Sequence, residues 1–482
     1  MLTAACAIMV QAGESNKTIS PEQQVAVGTV HQADLLPADK LVYDAAAISK
    51  AQSGTDKAVA IAKNDPIRHQ QVMVKDGRLV DRDGKAVVLR GLGLGHWLCP
   101  EGYFQGAGKV KGWALKEFEA GVMDVAGGDK TFADNFWFEW WSNYMTELDV
   151  RMIKGWGCNH VRLVFDDNNL MPRKEEQPDY PPFLYKEKNW VIFDNFMNWC
   201  EAYHLYVIFD MHGCPGSLNG MLCSDGIGEG VGLMKDTKNR RLMLDLWQKI
   251  AQRYRNYDCV IGYDIPSNEP LFRRHGIPQS ELRTLAVETT KAIRSIDPSG
   301  IMFVEGDEYS HEFECLEPID WDSQIVLSYH NYEDPMDPDL WHLYPLMKKY
   351  GTPTYMGEGA ANQASIAVLE AENPPISWAK WGYKWWRKGK VIPPITIRNT
   401  EGFDKIMKYW EGSGPKPAVE ESKKWLMEMA RNLRTDGPIC TRNDKEIIEL
   451  GLNPNGLVDK VQLTEAIVPA AGNPSGTVRQ DD

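Results

Sequence analysis

The feature that most constrains the fold is a regular alternation of short apolar runs with longer helical patterns. Eight runs recur between residues 86 and 385. They are AVVLRGLGLG, HVRLVF, LYVIFDMH, VIGYDIPSNEP, IMFVEGD, IVLSYHNY, PTYMGEGA and ISWAKWGYKW. Each is followed by a loop and a helix-like segment, such as RLMLDLWQKIAQRYR. Strands that alternate with helices pair in parallel under a helical cover. Eight such units in about 300 residues predict an α/β protein, a closed (β/α)8 TIM barrel.

The open, doubly wound sheet is the alternative arrangement for such an alternation. Its nucleotide-binding form carries a GxGxxG motif after the first strand, and GLGLGHW does not fit that spacing. Before the barrel, VMVKDGRLVDRDGKAVVLRG contains two Asp-Gly turns between short apolar runs. Asp-Gly is a strong hairpin signal, so a short N-terminal β-hairpin is predicted ahead of the first barrel strand.

The rest of the chain is divided by composition. Residues 1–12 resemble a truncated signal peptide, because an apolar run ends in a small-x-small pattern without a basic start. Residues 13–70 are poor in aromatic side chains and predict a linker or extended N-terminal arm. The barrel domain is expected over residues 71–450, and residues 451–482 are expected to form a C-terminal tail. The expected location is secreted, periplasmic or at the cell surface.

The net charge and the cysteine spacing limit the classes of ligand and cofactor that this chain is expected to bind. The net charge of −14 argues against nucleic acid and anionic membranes, and no run reaches the roughly 18 apolar residues that span a bilayer. The nine cysteines include no CxxC pair, so no metal and no other cofactor is expected. Seventeen tryptophans offer flat apolar faces for packing or for stacking on a ligand. A neutral substrate and a monomeric chain are predicted.

Polar or aromatic side chains end seven of the eight runs, and packing alone does not favour such residues there. In a barrel of this type the carboxyl ends of all strands converge on one mouth, where chemistry takes place. The residues are Arg162, Asp210, His212, Asn268, Glu269, Glu305, Asp307, His330, Tyr332, Glu358, Trp378, Trp381 and Tyr383. Glu305 and Asp307 are interpreted as supporting residues one layer behind the site, and His160 as structural.

Two glutamates, Glu269 and Glu358, are predicted to face each other from opposite strands. A carboxyl pair of this kind suits glycoside hydrolysis, in which one acid protonates the leaving oxygen and the other carboxylate acts at the anomeric carbon. The two groups must differ in protonation, and Arg162 is the cation that would hold one of them ionised. Asn268 offers a donor and an acceptor to a sugar hydroxyl, and Trp381 offers an indole face to a pyranose ring.

This constellation resembles glycoside hydrolase family 5, a cellulase-like family of retaining β-glycosidases on eightfold barrels. The matching motifs are LRGLGLGHW, NHVRLVF, DMHGCPGSLNG, SNEP, YHNY, MGEG and SWAKWGYK, from about Val72 to about Leu433. The resemblance implies that Glu269 is the general acid/base and Glu358 the nucleophile. It implies that Arg162 and Tyr332 attend the nucleophile and that His330 lies beside the acid. It places His212, Asn268 and the Trp381 platform on the sugar.

Several departures from the family pattern carry expectations of their own. Pro266 precedes Ser267 where relatives run apolar residues into the motif, which suggests a bulged strand end. His96 replaces a glycine and, with Trp97, is expected to line or close part of the cleft. The loop HGCPGSLNGMLCSDG resembles the β-1,3-glucanase branch, and Cys214 and Cys223 within it are candidates for a disulfide. The insertion from about Glu101 to Asp134 is long enough to wall off the cleft.

Three functions remain open from the sequence. The first is a retaining hydrolase of β-linked glucan, of the endo-β-1,4-glucanase or cellulase type, with an exo-acting β-1,3-glucanase, a β-glucosidase and a mannanase as variants of the same chemistry. The second is a non-catalytic carbohydrate-binding barrel, against which the retention of both glutamates argues. The third is a metal-dependent hydrolase, which would need clustered ligands where the first run has only His96.

Overall fold

The structure, a computed structural model, describes residues 71–105, 108–332, 343–386 and 392–458. The predicted signal peptide, the predicted arm and residues 459–482 of the predicted tail lie outside the described residues. Among the described residues, no helix combines the length and the apolar character that crossing a membrane requires.

The predicted hairpin is present and closes one end of the barrel. Strands β1 (Val72–Lys75) and β2 (Arg78–Asp81) pair antiparallel around the Asp76-Gly77 turn. Both turn residues have positive φ, which glycine adopts freely and aspartate tolerates. The inner face of the hairpin packs against the first residues of the barrel strands, in one cluster that holds Val72, Leu79, Leu89, Ile208, Ile261, Ile301, Phe303, Val326, Tyr355 and Ala379.

Eight parallel strands form a closed barrel, as the alternation predicted. In chain order they are β3 (Arg90–Gly93), β4 (His160–Asp166), β5 (Tyr206–Gly213), β6 (Val260–Ile265), β7 (Ile301–Glu305), β8 (Ile325–Asn331), β9 (Thr354–Gly359) and β10 (Ser377–Trp381). Each pairs with its neighbour in the chain, and β10 closes the ring on β3 through the register Trp378 to Arg90. The carboxyl ends therefore meet at one mouth.

The eighth apolar run differs from the prediction, because it divides into two strands. The strand β10 ends at Trp381, and the chain continues as β11 (Lys384–Trp386). The second piece leaves the barrel and pairs with β12 (Ile395–Ile397), which pairs in turn with β13 (Cys440–Arg442). The division at Gly382-Tyr383 thus lets one run serve two sheets.

Helices of eight or more residues cover the barrel. They are α1 (Leu115–Val125), α2 (Lys130–Tyr144), α3 (Glu147–Trp156), α4 (Trp190–Ala202), α5 (Thr237–Tyr254), α6 (Ser280–Arg294), α7 (Leu343–Tyr350), α8 (Gln363–Ala371), α9 (Glu401–Trp410) and α10 (Val419–Arg431). Shorter turns of helix occur at Gly102–Gln105, Gly108–Gly112, Asp167–Leu170, Lys174–Glu176, Glu187–Asn189, Leu222–Ser224, Gly232–Lys235, Arg273–His275, Asp307–Ser310, Glu314–Leu316 and Asp444–Glu449.

One predicted strand–helix unit lacks its long helix. Between β7 and β8 the chain forms only the short turns Asp307–Ser310 and Glu314–Leu316. The Asp307 carboxylate accepts hydrogen bonds from the backbone N–H groups of Phe272 (2.7 Å) and Arg273 (3.1 Å). The segment after β7 is therefore held against the loop after β6 by hydrogen bonds. The other connections between barrel strands instead run back along the barrel as a long helix.

Helix α2 begins within the insertion after β3, and its tryptophans pack it onto the body of the protein. Trp137 stacks on Trp141 with ring centroids 6.0 Å apart, and Trp140 stacks on Trp386 of β11 at 5.9 Å. All four indoles are buried. The insertion is thus anchored by apolar contact, and its earlier part, from Glu101 onward, reaches the mouth of the barrel.

Two further expectations are wrong. Cys214 and Cys223 do not form a disulfide, and the Cys223 thiol instead donates a hydrogen bond to a glutamate described below. The bulge expected at Pro266 is absent from the described pairing, because β6 ends one residue earlier, at Ile265. The register shift between β5 and β6 lies at the other end of the strands, at Val207 and Ile208.

Candidate active site

Arg162 on β4 lies at the centre of the mouth and is fully buried. Its Nε donates to Asp264 Oδ2 at 2.7 Å, its Nη1 to Glu358 Oε1 at 2.7 Å and its Nη2 to Glu305 Oε1 at 2.7 Å. The Nη1 atom also lies 3.1 Å from Asp210 Oδ2. A planar guanidinium offers five donors in a fixed fork, so one side chain orients carboxylates from four different strands.

The acids around Arg162 outnumber the cations, and one of them takes up a proton as a result. Burial raises the pKa of Asp264 to about 8, with the neighbouring Glu305 and Asp210 charges acting in the same direction against Arg162. Asp264 is therefore largely protonated at neutral pH, although its Oδ2 contacts the guanidinium. The cluster limits its charge in this way because an uncompensated buried carboxylate is costly.

Glu358 at the end of β9 is the carboxylate with the strongest support. Its Oε1 accepts from Arg162, and its Oε2 accepts from the Tyr332 hydroxyl at 2.7 Å. Burial opposes ionisation, but the charges of His330 and Arg162 outweigh it and lower the pKa of Glu358 to about 2. The side chain is therefore an anion across the physiological range, held in place by donors on both oxygens.

Glu269 follows β6 and is presented by a backbone with φ of 50°, a conformation uncommon for residues other than glycine. Its N–H donates to Glu305 Oε2 at 2.6 Å, and its carbonyl accepts from Asn219 Nδ2 at 3.0 Å. The carboxyl group has two contacts of different character. Its Oε1 accepts from His330 Nδ1 at 3.1 Å, and its Oε2 accepts from the Cys223 thiol at 3.3 Å.

His330 links the two glutamates. Carboxyl oxygens of Glu269 and Glu358 and a ring nitrogen of His330 all lie within 4.8 Å of one another. Burial alone would lower the pKa of His330, but the Glu358 and Glu305 charges and its hydrogen bonds raise it well above its usual value. The raised pKa favours the imidazolium form, whose positive charge lies between these carboxyl groups.

A second chain of hydrogen bonds orients the residues beside Glu358. Asn268 Oδ1 accepts from Arg162 at 3.3 Å, and Asn268 Nδ2 donates to His212 Nε2 at 3.1 Å. The Nδ1–H of His212 is thereby left to donate to Asp210 Oδ2 at 2.8 Å. His212 Nε2 also lies 3.8 Å from Glu101 Oε1, so the insertion after β3 brings another buried acid to the mouth.

Trp381 lies flat against His212, with ring centroids 5.2 Å apart and planes 11° apart. The indole fits because β3 and the residues after it contribute glycines: a Cβ on Gly95 would lie 2.5 Å from the ring and one on Gly93 would lie 2.8 Å from it. His96 is fully buried and lies near Trp381 with its ring stacked on Trp385, 6.2 Å away. His96 thus closes the floor behind the indole.

Trp97 is not brought to the mouth. Its indole N–H donates to the Trp141 carbonyl at 2.7 Å and its ring packs edge-on against Phe196, so it lies in the helical layer. A side chain that follows a predicted strand can face either the mouth or the helical layer, and no local sequence pattern distinguishes the two orientations. His160 is structural as expected, since it bonds Tyr355 at 2.9 Å inside the barrel and burial lowers its pKa to about 3.

Three residues at the site were missed by the sequence reasoning. Asp264 sits inside an apolar strand, two residues after Gly262, and a buried carboxylate in such a run is itself a signal of a paired charge. Cys223 was considered only as half of a disulfide, and Glu101 only as the edge of an insertion. Both lie on loops, whose path over the mouth no local pattern predicts.

The geometry suits a two-carboxyl reaction. One carboxylate is ionised and held rigidly, while the other lies within 4.8 Å of it and is bonded to a cationic histidine and a weakly polar thiol. Direct nucleophilic attack requires carboxyl groups about 5 Å apart. An oxygen of Glu269 within 4.8 Å of an oxygen of Glu358 is compatible with that spacing. A buried arginine supports the anion and an indole face lies beside it.

Several glycosidases are similar in sequence to this chain. The chain is 29% identical over 246 residues to a β-xylosidase of Phanerodontia chrysosporium, covering 50% of this chain and 47% of that protein. It is 29% identical over 223 residues to endoglucanase C of Acetivibrio thermocellus (45% and 58% covered) and 28% identical over 230 residues to a probable glucan 1,3-β-glucosidase A of Aspergillus clavatus (47% and 52%). It thus spans about half the length of the curated relatives it matches.

An endoglucanase catalytic domain from Thermobifida fusca is 18% identical, with a TM-score of 0.42, over 74% of this chain and 97% of that one. Residues 120–379, more than half of the chain, match the family model described as cellulase (glycosyl hydrolase family 5). That span runs from helix α1 to strand β10 and holds both glutamates, Arg162, His330 and Tyr332. The chain belongs to glycosyl hydrolase family 5.

Proposed function

We propose that the protein is a retaining glycoside hydrolase that cleaves β-linked glucan by double displacement, with Glu358 as nucleophile and Glu269 as general acid/base. The observation that carries the proposal is the carboxyl pair within 4.8 Å, with Glu358 ionised by its neighbours. The substrate class favoured first is a β-1,4-glucan cut internally, and the Acetivibrio relative is named an endoglucanase.

The first step forms a covalent intermediate. Glu358 Oε2 or Oε1 attacks the anomeric carbon while Glu269 gives a proton to the glycosidic oxygen, so the C–O bond to the aglycone breaks and the aglycone leaves as an alcohol. Arg162 and Tyr332 hold the attacking carboxylate through hydrogen bonds to separate oxygens. Trp381 and Asn268 would orient the sugar, with its ring on the indole and a hydroxyl at the amide.

The second step releases the sugar. Glu269, now ionised, takes a proton from water, and the resulting hydroxide equivalent displaces Glu358 from the anomeric carbon. Two inversions give overall retention of configuration. The adjacent imidazolium of His330 faces both carboxylates in turn, because its Nδ1 is 3.1 Å from Glu269 and 3.7 Å from Glu358. It thereby stabilises whichever of the two glutamates carries the negative charge at each step.

The test is product analysis of the purified protein with two variants and one control. Glu358→Ala should lower turnover by about 10⁴-fold or more on every substrate, because the nucleophile is lost. Glu269→Ala should lose activity on substrates with poor leaving groups, which need protonation. It should keep part of its activity on an aryl glycoside with a good leaving group, which needs no protonation. The matched control is Glu176→Gln, an exposed glutamate in a short turn of helix.

Added azide separates the two roles. With Glu269→Ala, azide should replace water on the intermediate and yield a β-glycosyl azide, because the nucleophile is intact and the base is missing. Full activity in either glutamate variant would refute the role assignment. Glucan binding seen by calorimetry, without turnover by the parent protein, would favour the non-catalytic binding barrel instead.

An exo-acting β-1,3-glucosidase is the second candidate. Two observations favour it: relatives named probable glucan 1,3-β-glucosidase, and the loop of residues 212–226, whose sequence resembles that branch. A panel of carboxymethyl cellulose, barley β-glucan, laminarin, mannan, xylan and aryl β-glycosides distinguishes the candidates. Glucose alone from laminarin indicates exo action on β-1,3 links, and a ladder of oligosaccharides from cellulose or barley glucan indicates endo action. Export of the protein and a monomeric state are proposed alongside.

A further inference from the structure

We infer that Cys223 is a positioning residue for the general acid/base: its thiol holds the Glu269 oxygen that carries the catalytic proton and sets how readily that proton leaves. The inference rests on the proposed function. It concerns a side chain of this chain's own loop after β5, which reaches across the mouth to the residue that follows β6.

The contact belongs to a built network. Cys223 is buried, with 3% of its surface exposed, and its Sγ lies 3.3 Å from Glu269 Oε2. Asn219 Nδ2 lies 3.4 Å from the same sulfur and donates to the Glu269 carbonyl at 3.0 Å. The carbonyl of Asn219 accepts from His275 Nε2 at 2.9 Å. The loop is therefore fixed against the backbone of Glu269 as well as against its side chain.

The two oxygens of Glu269 have different neighbours, and this decides where the proton sits. Oε1 accepts from the Nδ1–H of His330, whose pKa is raised, so that oxygen already faces a donor. A proton placed on Oε1 would meet the imidazolium N–H head-on. The catalytic proton is therefore carried on Oε2, and Cys223 is the side chain in contact with that oxygen.

A thiol suits this position because it works weakly in both directions. The S–H group is a poor donor and the sulfur a poor acceptor. It can donate to Oε2 when Glu269 is ionised and accept from the O–H when Glu269 is protonated. A strong donor would favour the anion and hinder protonation, while an apolar neighbour would favour the acid and hinder ionisation. The acid/base needs both states in each catalytic cycle.

Other groups also face Glu269, and the test must separate their influence from that of the thiol. They come from every element packed around it, namely Tyr332 and His330 after and on β8, Glu358 on β9, Glu305 on β7 and His311 on the turn after β7. None of these is changed by a substitution at position 223, so a shift in the pH profile of such a variant reports the group at that position.

The experiment compares three replacements in the full chain. Cys223→Ser places a stronger donor at Oε2, Cys223→Val fills the space without a donor, and Cys223→Ala removes the group. Each is measured for kcat/KM against pH on an aryl β-glycoside that the parent protein hydrolyses. The alkaline limb of that profile reports loss of the catalytic proton. Serine should move the alkaline limb to lower pH by about one unit, and valine and alanine should move it to higher pH. A shift of about one unit corresponds to one hydrogen bond to a carboxylate.

A leaving-group comparison adds a readout that a purely structural role would not change. Cys223→Ala should lose about 10-fold in kcat on a phenyl glycoside and less than about 2-fold on a 2,4-dinitrophenyl glycoside, which departs without a proton. Cys158→Ala is the matched control, since that buried thiol precedes β4 at the opposite end of the barrel. It should leave the alkaline limb and the leaving-group dependence unchanged.

The outcomes are separable. Opposite shifts for serine and valine, with the leaving-group dependence, support the inference; alanine replaces valine in this comparison if the valine variant does not fold. An unchanged limb in all variants, or shifts of the same sign for serine and for valine or alanine, overturns it while leaving the glutamate roles intact. Absence of any hydrolysis by the parent protein overturns the proposed function itself, before the question of Cys223 arises.

Discussion

Tyr332 is the neutral partner of the Glu358 anion, and its removal tests how the site keeps that charge. Its hydroxyl donates to Glu358 Oε2 at 2.7 Å. In Tyr332→Phe the carboxylate loses a donor while burial still opposes its ionisation, so the pKa of Glu358 should rise from about 2. In the proposed mechanism Glu358 must be ionised to act as nucleophile, so the acidic limb of kcat/KM should move to higher pH and kcat should fall by about 10- to 100-fold.

The control for this prediction is Tyr329→Phe, on the strand that Tyr332 follows. Tyr329 is buried, and its hydroxyl contacts no hydrogen-bond partner among the described residues. Its removal should leave the acidic limb where it is. An acidic limb that does not move in Tyr332→Phe would show that Arg162 and His330 alone keep Glu358 ionised.

At the scale of elements, strand β3 and the residues after it support the site because two glycines there have no side chain. The glycines at positions 93 and 95 make room for the Trp381 indole, which then stacks on His212. In Gly95→Ala the new Cβ would lie 2.5 Å from the ring, so the indole must shift. Overpacking of this kind costs about 1–3 kcal/mol, and loss of sugar orientation should raise KM more than it lowers kcat.

Gly112→Ala provides the comparison, because a Cβ there would meet nothing within 4 Å. Steady-state kinetics and thermal melting of both variants check the prediction. Equal KM values for Gly95→Ala and the parent protein would show that Trp381 does not carry the sugar.

The elements also show what the sequence determines. The apolar runs predict the positions of all eight barrel strands, because a strand that is buried on both faces is almost continuously apolar in sequence. The eighth run was not seen to divide, since β10 and β11 are equally apolar and only their partners differ. The helix missing after β7 was not foreseen either. Its absence depends on Asp307 bonding to the loop after β6, a contact between segments 34 or more residues apart.

The site was predicted as far as strand ends determine it. Glu269, Glu358, Arg162 and His330 follow from the rule that carboxyl ends of parallel strands share one mouth. The contact of Cys223 with Glu269 depends on how a loop folds over that mouth, and Trp97 depends on which way a side chain turns after its strand. Neither is encoded in a local pattern, so both were misjudged.

For the whole molecule, the hairpin and the catalytic mouth lie at opposite ends of the barrel and should be separable. Leu79 of β2 is buried against the lower barrel interior. Leu79→Ala should lower the free energy of unfolding by about 2–5 kcal/mol, because the substitution leaves a cavity where the β1–β2 hairpin packs against the barrel. At 25 °C kcat/KM should stay within about twofold. Arg78→Ala, exposed on the same strand, should change neither quantity. A catalytic defect without a lower Tm would contradict this separation.

The charge balance at the centre of the barrel should govern how stability depends on pH. Glu358 has a pKa lowered to about 2, so its contribution is present above the unfolded value of about 4.3 and is lost as pH falls towards 2. Asp264 has a pKa raised to about 8, so its contribution is complete below about pH 3.9 and is lost as pH rises through 8. Between pH 4 and 8 the decline due to Asp264 alone approaches about 1.4 kcal/mol per unit.

Asp264→Asn tests this directly, since asparagine resembles the protonated acid and does not titrate. Denaturant unfolding at intervals from pH 4 to 8 should show a flatter curve than that of the parent protein, because the unfolded variant no longer gains by ionising at this position. Asp83→Asn, an exposed acid in the turn after β2, should keep the parent slope. An Asp264→Asn curve as steep as the parent's would mean that Asp264 is already ionised in the folded protein. The excess proton of the cluster would then have to reside on another of the acids around Arg162, and the separation of charges on which Glu358 depends would need to be reassigned.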